Sequence, residues 1–327
     1  MKSNNIENIF FQAFTDELLV NHLTKRNGET KLGEKVKTYD NFKDARYVII
    51  GINEDIGPQA NLGLPGAKNG FNSFIKRFLN TQSNRFLLGD DICVYGTINT
   101  TFTFQNIEEA RKNINQLDEF IAKEIGPLIN EGKIIIVIGG GHNNAYPLIK
   151  SSYQKLKQKI DVINLDPHAD CRPLEGRHSG NPFSYANEDG FMDNYTVFGL
   201  HQQYNSEGIY EYLDENNFSY TFFEDYILNQ TELLKDLNVT LKKRDNSKHI
   251  GFEIDLDSIA FMPSSAYTPS GLSIETVRLY SKQIGKEKNI SYLHLPEAAP
   301  DNSQEEKLTG KALTYIVLDF IKANKNK

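Results

Sequence analysis

Short runs rich in β-branched and aromatic residues alternate along this chain with longer stretches of helical length. The clearest run, Lys133–Ile138, is almost continuously apolar, as expected for a strand covered on both faces. The stretch Ile107–Ile129 places isoleucine and leucine at steps of three or four, which indicates an amphipathic helix. Strands that alternate with helices indicate a parallel sheet with helices on both sides. We therefore predict an α/β fold, a three-layer sandwich around a central, mostly parallel sheet of about eight strands.

The predicted strands share this β-rich character. They are Ala45–Gly51, Asp91–Tyr95, Lys133–Ile138, Val162–Leu165, Tyr195–Leu200, Tyr220–Phe223, Lys248–Leu256 and Ser291–Leu295. Lys311–Ala323 has the pattern of a closing amphipathic helix. Because the sequence contains no Pro/Gly/Ser-rich linker and no repeat, we predict a single domain over residues 1–327, with residues 1–40 as an irregular or helical extension.

Charge and composition limit the partners. A formal charge of −7 disfavours nucleic acid, since phosphate binding requires a basic surface. The two cysteines, Cys93 and Cys171, are too few for a disulfide framework, and no run of 18 apolar residues predicts a membrane helix. These features favour a soluble, cytoplasmic protein in a reducing compartment, without a nucleic-acid or membrane partner.

The strongest chemical signal is Asp166-Pro167-His168-Ala169-Asp170, directly after an apolar run. In extended backbone, a spacing of two turns all three polar side chains to one side. Carboxylates and imidazoles together suit divalent ions such as Mn²⁺. The alternative interpretation of the motif is a polar turn at the end of a strand.

Two further clusters strengthen the metal hypothesis. Glu253, Asp255 and Asp257 alternate with apolar residues, and such an alignment of carboxylates is costly without a counter-charge. His142 follows three glycines that end the Lys133–Ile138 run, and glycines allow a tight turn and close approach. The two histidines and four aspartates of these clusters supply two imidazoles and four carboxylates, which suits a pair of cations.

These motifs, in this order, resemble the ureohydrolase family: arginase, agmatinase and formimidoylglutamase. Gly140-Gly141-His142, Asp166–Asp170 and Asp255-Leu256-Asp257 match the three metal motifs of that family. Glu297 falls where the family has a Glu before a Pro, and Asn61–Ala67 is similar to an early glycine-containing segment. The resemblance covers about residues 45–320 and implies an arginase-like fold.

The resemblance also implies roles for individual residues. His142, Asp166, Asp170 and Asp255 would surround one Mn²⁺, whereas Asp166, His168, Asp255 and Asp257 would surround the other. Ni²⁺ or Co²⁺ would also suit these ligands. A bridging hydroxide would attack the amidine carbon, Asp170 would shuttle its proton, and Glu297 would pair with the cationic group. Relatives commonly form closed homo-oligomers, so the same is expected here.

The loop after the metal motif is similar to the formimidoylglutamase pattern. An amidine substrate with two carboxylates needs basic groups at one end of its site, and the loop offers Arg172, Arg177, His178, Ser179 and Asn181 as candidate substrate contacts. The expected reaction is hydrolysis of N-formimidoyl-L-glutamate to glutamate and formamide. For both Arg172 and Arg177, a surface position or a structural ion pair is the alternative.

Three departures from the family pattern bear on the substrate. Glu253 adds a carboxylate that needs a partner, Ala260 replaces an expected Asp, and the loop at Met262–Ser270 is shortened. The alternatives to formimidoylglutamate hydrolysis are therefore an arginase, an agmatinase or another guanidino-compound hydrolase that releases urea. A metal-binding regulatory protein without activity is a second alternative, and a single-zinc deacetylase is a weaker third.

Overall fold

The computed structural model describes residues 8–130 and 132–325. Within them the chain forms nine strands, β1 to β9: Ile9–Ala13, Tyr47–Asn53, Ile92–Thr100, Ile134–Ile138, Ile160–Leu165, Met192–Leu200, Ser219–Phe222, Ile250–Ile254 and Ile290–Leu295. The α-helices found in the same residues, α1 to α10, are Asp16–His22, Ile56–Ala60, Gly70–Phe78, Ile107–Asn130, Ala145–Leu156, Pro182–Glu188, Glu207–Glu215, Thr231–Lys243, Ile274–Ile284 and Ser303–Lys325.

All nine strands belong to one sheet, in the order β1-β3-β2-β4-β9-β8-β5-β6-β7. Every pairing from β3 to β7 in this order is parallel, and β1 pairs antiparallel with β3. Strands distant in sequence are therefore neighbours at the centre, where β4, β9, β8 and β5 lie side by side.

A separate hydrophobic core covers each face of the sheet. In β4, Ile134, Ile136 and Ile138 face a core shared with α3, α8, α9 and α10, whereas Ile135 and Val137 face a core shared with α4, α5, α6 and α7. All five side chains are buried, which explains why this strand has no polar alternation. The predicted three-layer α/β fold is thus confirmed.

The N-terminal region differs from its prediction. Residues 1–40 were expected to be irregular or helical, yet Ile9–Ala13 forms the edge strand β1, which raises the strand number above the expected eight. Its hydrogen bonds come from β3, about ninety residues away, so nothing local in the sequence specifies it. Helix α1 agrees with the helical part of the prediction, and the first seven residues of the predicted extension lie outside the described ones.

None of the helices in the described ranges, 8–130 and 132–325, has the length and apolar character required to cross a bilayer.

Candidate metal centre and substrate cavity

The polar motifs meet at one edge of the sheet because parallel strands end together. His142 follows β4, Asp166 follows β5, Asp255 follows β8 and Glu297 follows β9, and these four strands are consecutive in the sheet. Backbone hydrogen bonds join the loops beyond the strands: Glu297 N donates to Gly140 O at 2.9 Å, and Asp255 N donates to Leu165 O at 3.0 Å. This edge is where an open α/β sheet places its ligands.

The glycine turn before His142 is enforced by close packing. Gly139 and Gly140 have φ angles of 87° and 72°, a region that disfavours other residues. A Cβ atom on Gly141 would lie 2.3 Å from Cδ of Pro58, so no side chain fits there. The turn carries the His142 ring inward, where it is completely buried.

The Nδ1 atom of His142 faces three carboxylates. It lies 3.0 Å from Oδ2 of Asp166 and 2.9 Å from the Oδ2 atoms of Asp170 and Asp255. These four ligand atoms all lie within 4.8 Å of one another. Yet Nδ1 makes no well-directed hydrogen bond to any described residue. A buried, unpaired nitrogen aimed at several carboxylate oxygens is the arrangement expected of a cation site, so these residues fit a divalent metal.

A second histidine adjoins the same carboxylates. Oδ1 of Asp166 lies 3.5 Å from Nδ1 of His168, which is 3.8 Å from Oδ2 of Asp257. The two oxygens of Asp166 thus face different histidines. All six sequence-predicted ligands are therefore brought together, with Asp166 between the two groups.

The reason for this convergence differs from the one predicted. We expected alternation in extended backbone to turn the side chains of Asp166, His168 and Asp170 to one side. Instead, β5 ends at Leu165, the chain bends at Pro167 and His168, and Asp170 has a φ of 48°. Asp257 likewise lies in a 3₁₀ turn after β8, where its N–H donates to Oδ1 of Asp255 at 2.7 Å. Loop conformation rather than strand alternation collects the ligands.

Burial and crowding perturb the ionisation of these acids. Burial raises the pKa of Asp255 well above its usual range, and the carboxylates of Asp257 and Asp166 add to the shift. The pKa of Asp170 is also raised, by burial and then by Asp166. Like charges held this close resist joint ionisation, so bound cations would stabilise the ionised form of the cluster.

Glu297 completes the inner end of the site. Its Oε1 accepts the backbone N–H of His142 at 2.6 Å, whereas its buried Oε2 has no hydrogen-bond partner among the described residues. Burial, reinforced by the nearby Asp257, raises its pKa to about 8. Like Asp170, Glu297 has a positive φ, here 65°, and such strained backbone is typical of functional sites.

A cavity of about 420 Å³ opens onto this cluster. Its acidic wall contains Asp170, Asp255, Asp257 and Glu297. Arg172, whose side chain is 49% exposed, is the only Lys or Arg among the described residues that line the cavity. Its Nη1 donates to Oδ1 of Asn61 at 3.2 Å. Its Nη2 also lies 3.6 Å from Oε1 of Glu175, so the cavity combines an acidic wall with a half-exposed arginine.

The predicted substrate contacts divide into two groups. Arg172 and Ser179 line the cavity, but Arg177, His178 and Asn181 do not; all three are buried in the body of the loop. The Asn181 side chain accepts hydrogen bonds from Arg177 Nη1 and His178 N and donates to Pro173 O and Gly176 O. Burial, reinforced by Arg111, lowers the pKa of His178 to about 4, so its ring is neutral.

Arg177 lies in a buried ion pair, which is the structural alternative considered from the sequence. Its Nε donates to Oδ2 of Asp118 at 3.0 Å, and Nη2 donates to the carbonyl oxygen of Asn143 at 2.8 Å. The guanidinium also lies 4.6 Å and 5.1 Å from the ring centroids of Tyr146 and Tyr185. It thereby links the loop to α4 and to the residue after His142.

The shortened loop at Met262–Ser270 contributes to the cavity. Ser265 and Ala266 line it, and Ala266 N donates to Oδ1 of Asp257 at 3.1 Å. The loop thus holds the carboxylate of Asp257 while it shapes the opening.

Sequence analysis missed two residues that organise the site. Glu54, after β2, is completely buried; its Oε1 accepts from Gly141 N and Asn144 Nδ2, and its Oε2 accepts from two further backbone N–H groups. Tyr204 stacks on His168 at 5.4 Å and on His201 at 4.7 Å between ring centroids. The only signal for Glu54 was the acidic pair Glu54-Asp55 after a predicted strand, and Tyr204 had none.

Comparison with known proteins agrees with this geometry. Residues 45–322 match the Arginase family. A formimidoylglutamase of Staphylococcus aureus (strain MRSA252) is 27% identical over 280 residues, which cover 84% of this chain and 85% of that protein. Among solved structures, formimidoylglutamase from Bacillus subtilis subsp. subtilis str. 168 has a TM-score of 0.77 at 19% identity, covering 93% of this chain and 95% of that one. Trypanosoma cruzi formiminoglutamase with Mn²⁺ has a TM-score of 0.74 at 22% identity, covering 89% and 98%.

The family match and the named relatives support a hydrolase that acts on carbon–nitrogen bonds. The chain belongs to the arginase family, as the order of its three motifs predicted.

Proposed function

We propose that this protein hydrolyses the amidine of N-formimidoyl-L-glutamate to glutamate and formamide, using two Mn²⁺ ions. The observation that carries the proposal is the composition of the cavity. Its acidic wall includes Glu297, whose Oε2 has no hydrogen-bond partner among the described residues. Arg172 lines the same cavity and supplies a positive charge. A substrate with one cationic amidine and two carboxylates matches both features. The names of the S. aureus and B. subtilis relatives support this choice of substrate.

The donor set supports a pair of divalent cations. His142, Asp166, Asp170 and Asp255 would hold one, and Asp166, His168, Asp255 and Asp257 would hold the other. The four carboxylates of these residues carry a formal charge that two divalent cations balance. Manganese is supported by the metal of the T. cruzi structure, and Ni²⁺ or Co²⁺ would suit the same oxygen and nitrogen ligands. When bound, such cations lower the pKa of water and supply a nucleophile at neutral pH.

The protein's own groups bind and orient the substrate. Bound cations and the amidinium itself favour the ionised form of Glu297. Its Oε2 then accepts a hydrogen bond from the planar amidinium, since a carboxylate pairs well with such a group. Arg172, Asn61 and Ser179 face the cavity and bind a substrate carboxylate. Asp170 lies at the edge of the acidic cluster, with a side chain 13% exposed, and it accepts and passes the proton that the leaving nitrogen needs.

A substrate panel tests the choice of substrate. The purified protein, loaded with Mn²⁺, is given formimidoylglutamate, arginine, agmatine and guanidinobutyrate, and formamide and urea are measured separately. We expect formamide from the first and no urea from the others; the matched Asp170→Asn variant serves as the inactive control. Urea release from a guanidino compound, without formamide release, would assign the protein to the guanidino hydrolases instead. Metal binding without any turnover would favour the regulatory alternative.

The cellular location and the oligomeric state of the protein are also proposals. We infer a cytoplasmic homo-oligomer; in the described part of the chain both cysteines are buried and unpaired, which suits a reducing compartment. Light scattering of the purified protein tests the oligomeric state.

A further inference from the structure

A buried acid–histidine pair lies beneath the metal cluster, inside the sheet. Glu253 on β8 and His294 on β9 are cross-strand partners, and Oε2 of Glu253 lies 2.6 Å from Nδ1 of His294. Both side chains are completely buried. His294 is thus the hydrogen-bond partner that the additional carboxylate noted in the sequence needs.

The same carboxylate faces the metal-site histidine. Oε2 of Glu253 is 3.5 Å from Nε2 of His142, on the opposite edge of the ring from Nδ1. The two nitrogens of His142 therefore face acids on opposite sides: Glu253 at Nε2, and three aspartates at Nδ1. An imidazole can offer Nδ1 to a cation only when that nitrogen carries no proton, which places the ring proton on Nε2.

The position of Glu253 is costly unless it has a function. A residue in the middle of a buried central strand is ordinarily apolar, like its neighbours Phe252 and Ile254, which are both fully buried. Replacing a buried ion pair by apolar residues is often neutral or stabilising, so stability alone gives little reason for it. Besides its 3.5 Å approach to Oε2 of Glu253, Nε2 of His142 makes no well-directed hydrogen bond to a described residue.

We propose that Glu253, held in place by His294, is a positioning residue that fixes the tautomer and orientation of His142 for cation binding. A carboxylate that accepts a hydrogen bond from the non-coordinating nitrogen of a metal-binding histidine orients the ring and increases its affinity for the metal. The inference rests on the proposed function, because it concerns the metal site that the hydrolysis uses. Glu253 would act only through the ring of His142. Its replacement should therefore weaken the cation site that contains His142 and have little effect on the other site.

The test is a titration of metal-free protein with Mn²⁺ in the absence of substrate. Calorimetry measures the affinity of each site. Glu253→Gln keeps the shape and removes the charge; we expect the affinity of one site to fall about 10- to 100-fold while the other changes by less than about threefold. Ser291→Ala is the matched control. It removes a buried polar pair, with Ser152 at 2.7 Å, from the neighbouring strand β9 and outside the metal cluster. It should bind Mn²⁺ as the wild type does.

A double variant separates positioning from simple support of the fold. His294→Gln alone leaves Glu253 buried and unpaired, so its thermal unfolding temperature should fall. Glu253→Gln/His294→Gln removes the whole acid–histidine pair and should recover the unfolding temperature but not the Mn²⁺ affinity. If Glu253→Gln does not fold, Glu253→Asp keeps the charge and shortens the reach to His142, and the same loss of affinity is expected.

The outcomes are distinguishable from failure of the proposed function. Wild-type affinity in Glu253→Gln, or affinity that simply follows the unfolding temperature across all variants, overturns the positioning role and leaves the hydrolase proposal standing. Wild-type protein that binds no divalent cation overturns both. With excess Mn²⁺, formamide release by Glu253→Gln should recover to within about tenfold of wild type, since the variant weakens binding of the metal rather than removing a reacting group.

Discussion

Glu297 and His142 are joined by a hydrogen bond across 155 residues of sequence, from the backbone N–H of His142 to Oε1 of Glu297 at 2.6 Å. The group proposed to bind the amidine is thus tied to the backbone of a proposed metal ligand. Because Oε1 is occupied by this bond, Oε2 is the oxygen that remains for the substrate. One hydrogen bond therefore links the proposed substrate-binding group to a proposed metal ligand.

Glu297→Gln tests the amidine contact. The amide keeps the shape but loses the charge, so a charge-assisted hydrogen bond worth about 1.5–3 kcal/mol is weakened. We expect kcat/KM for formimidoylglutamate to fall about 10- to 100-fold, with Mn²⁺ content unchanged. Steady-state kinetics with parallel metal analysis measures both, and an unchanged kcat/KM would remove Glu297 from substrate binding.

Asp170→Asn tests the proton transfer. An amide cannot accept and release a proton as a carboxylate does, and general acid–base catalysis contributes about 10²- to 10⁴-fold. Turnover should fall by at least the lower of these factors in a variant that still folds, as judged by circular dichroism. Retained turnover in Asp170→Asn protein would refute the assigned role.

Arg172→Gln tests the carboxylate end of the cavity. The side chain is half exposed and makes only polar surface contacts, so its loss should leave the unfolding temperature unchanged. KM for formimidoylglutamate should rise about tenfold or more, since a charged hydrogen bond is lost, whereas a substrate analogue without carboxylates should be unaffected. Equal effects on both compounds would contradict a carboxylate contact.

Arg177→Gln, five residues away, should behave in the opposite manner. Its loss leaves Asp118 as a buried, unpaired charge, and breaking such a pair costs about 3–5 kcal/mol. The free energy of unfolding measured with denaturant should fall accordingly. Asp118→Leu/Arg177→Met removes both charges and should recover much of the stability. A stable Arg177→Gln protein with a raised KM would instead restore Arg177 as a substrate contact.

Metal removal should destabilise the protein most at alkaline pH. Burial, with Asp257, raises the pKa of Glu297 to about 8 in the folded protein, above its ordinary value of 4.5. A raised folded-state pKa contributes stability that is present below pH 4.5 and is lost as pH rises through 8. The unfolding temperature of chelator-treated protein should therefore fall between pH 5 and about 9, and Mn²⁺ should flatten this slope because cations replace protons at the cluster. A chelated protein whose unfolding temperature is independent of pH would contradict this account.

The sequence predicts the centre of the fold better than its margin. Ile134–Ile138 is apolar at every position because helices cover both faces, and this pattern is unmistakable without a structure. Ile9–Ala13 is equally part of the sheet, but its pairing depends on β3, far along the chain, so local pattern could not reveal it.

The candidate site shows a similar division. Its acids and histidines are predictable because their clusters follow predicted strands, although bends rather than alternation bring them together. Which loop residues face the cavity was not predictable: Arg172 and Arg177 look equivalent in sequence, and only the fold turns one outward and buries the other against α4. Glu54 was missed because its partners, Gly141 and Asn144, are 87 and 90 residues away.

The most direct test of the dinuclear hydrolase is a Mn²⁺ titration of metal-free protein in which formamide release from formimidoylglutamate is assayed at each step. We predict no release without metal and a rate that reaches its maximum at two Mn²⁺ per chain. Full occupancy by two Mn²⁺ without any formamide release would contradict the account.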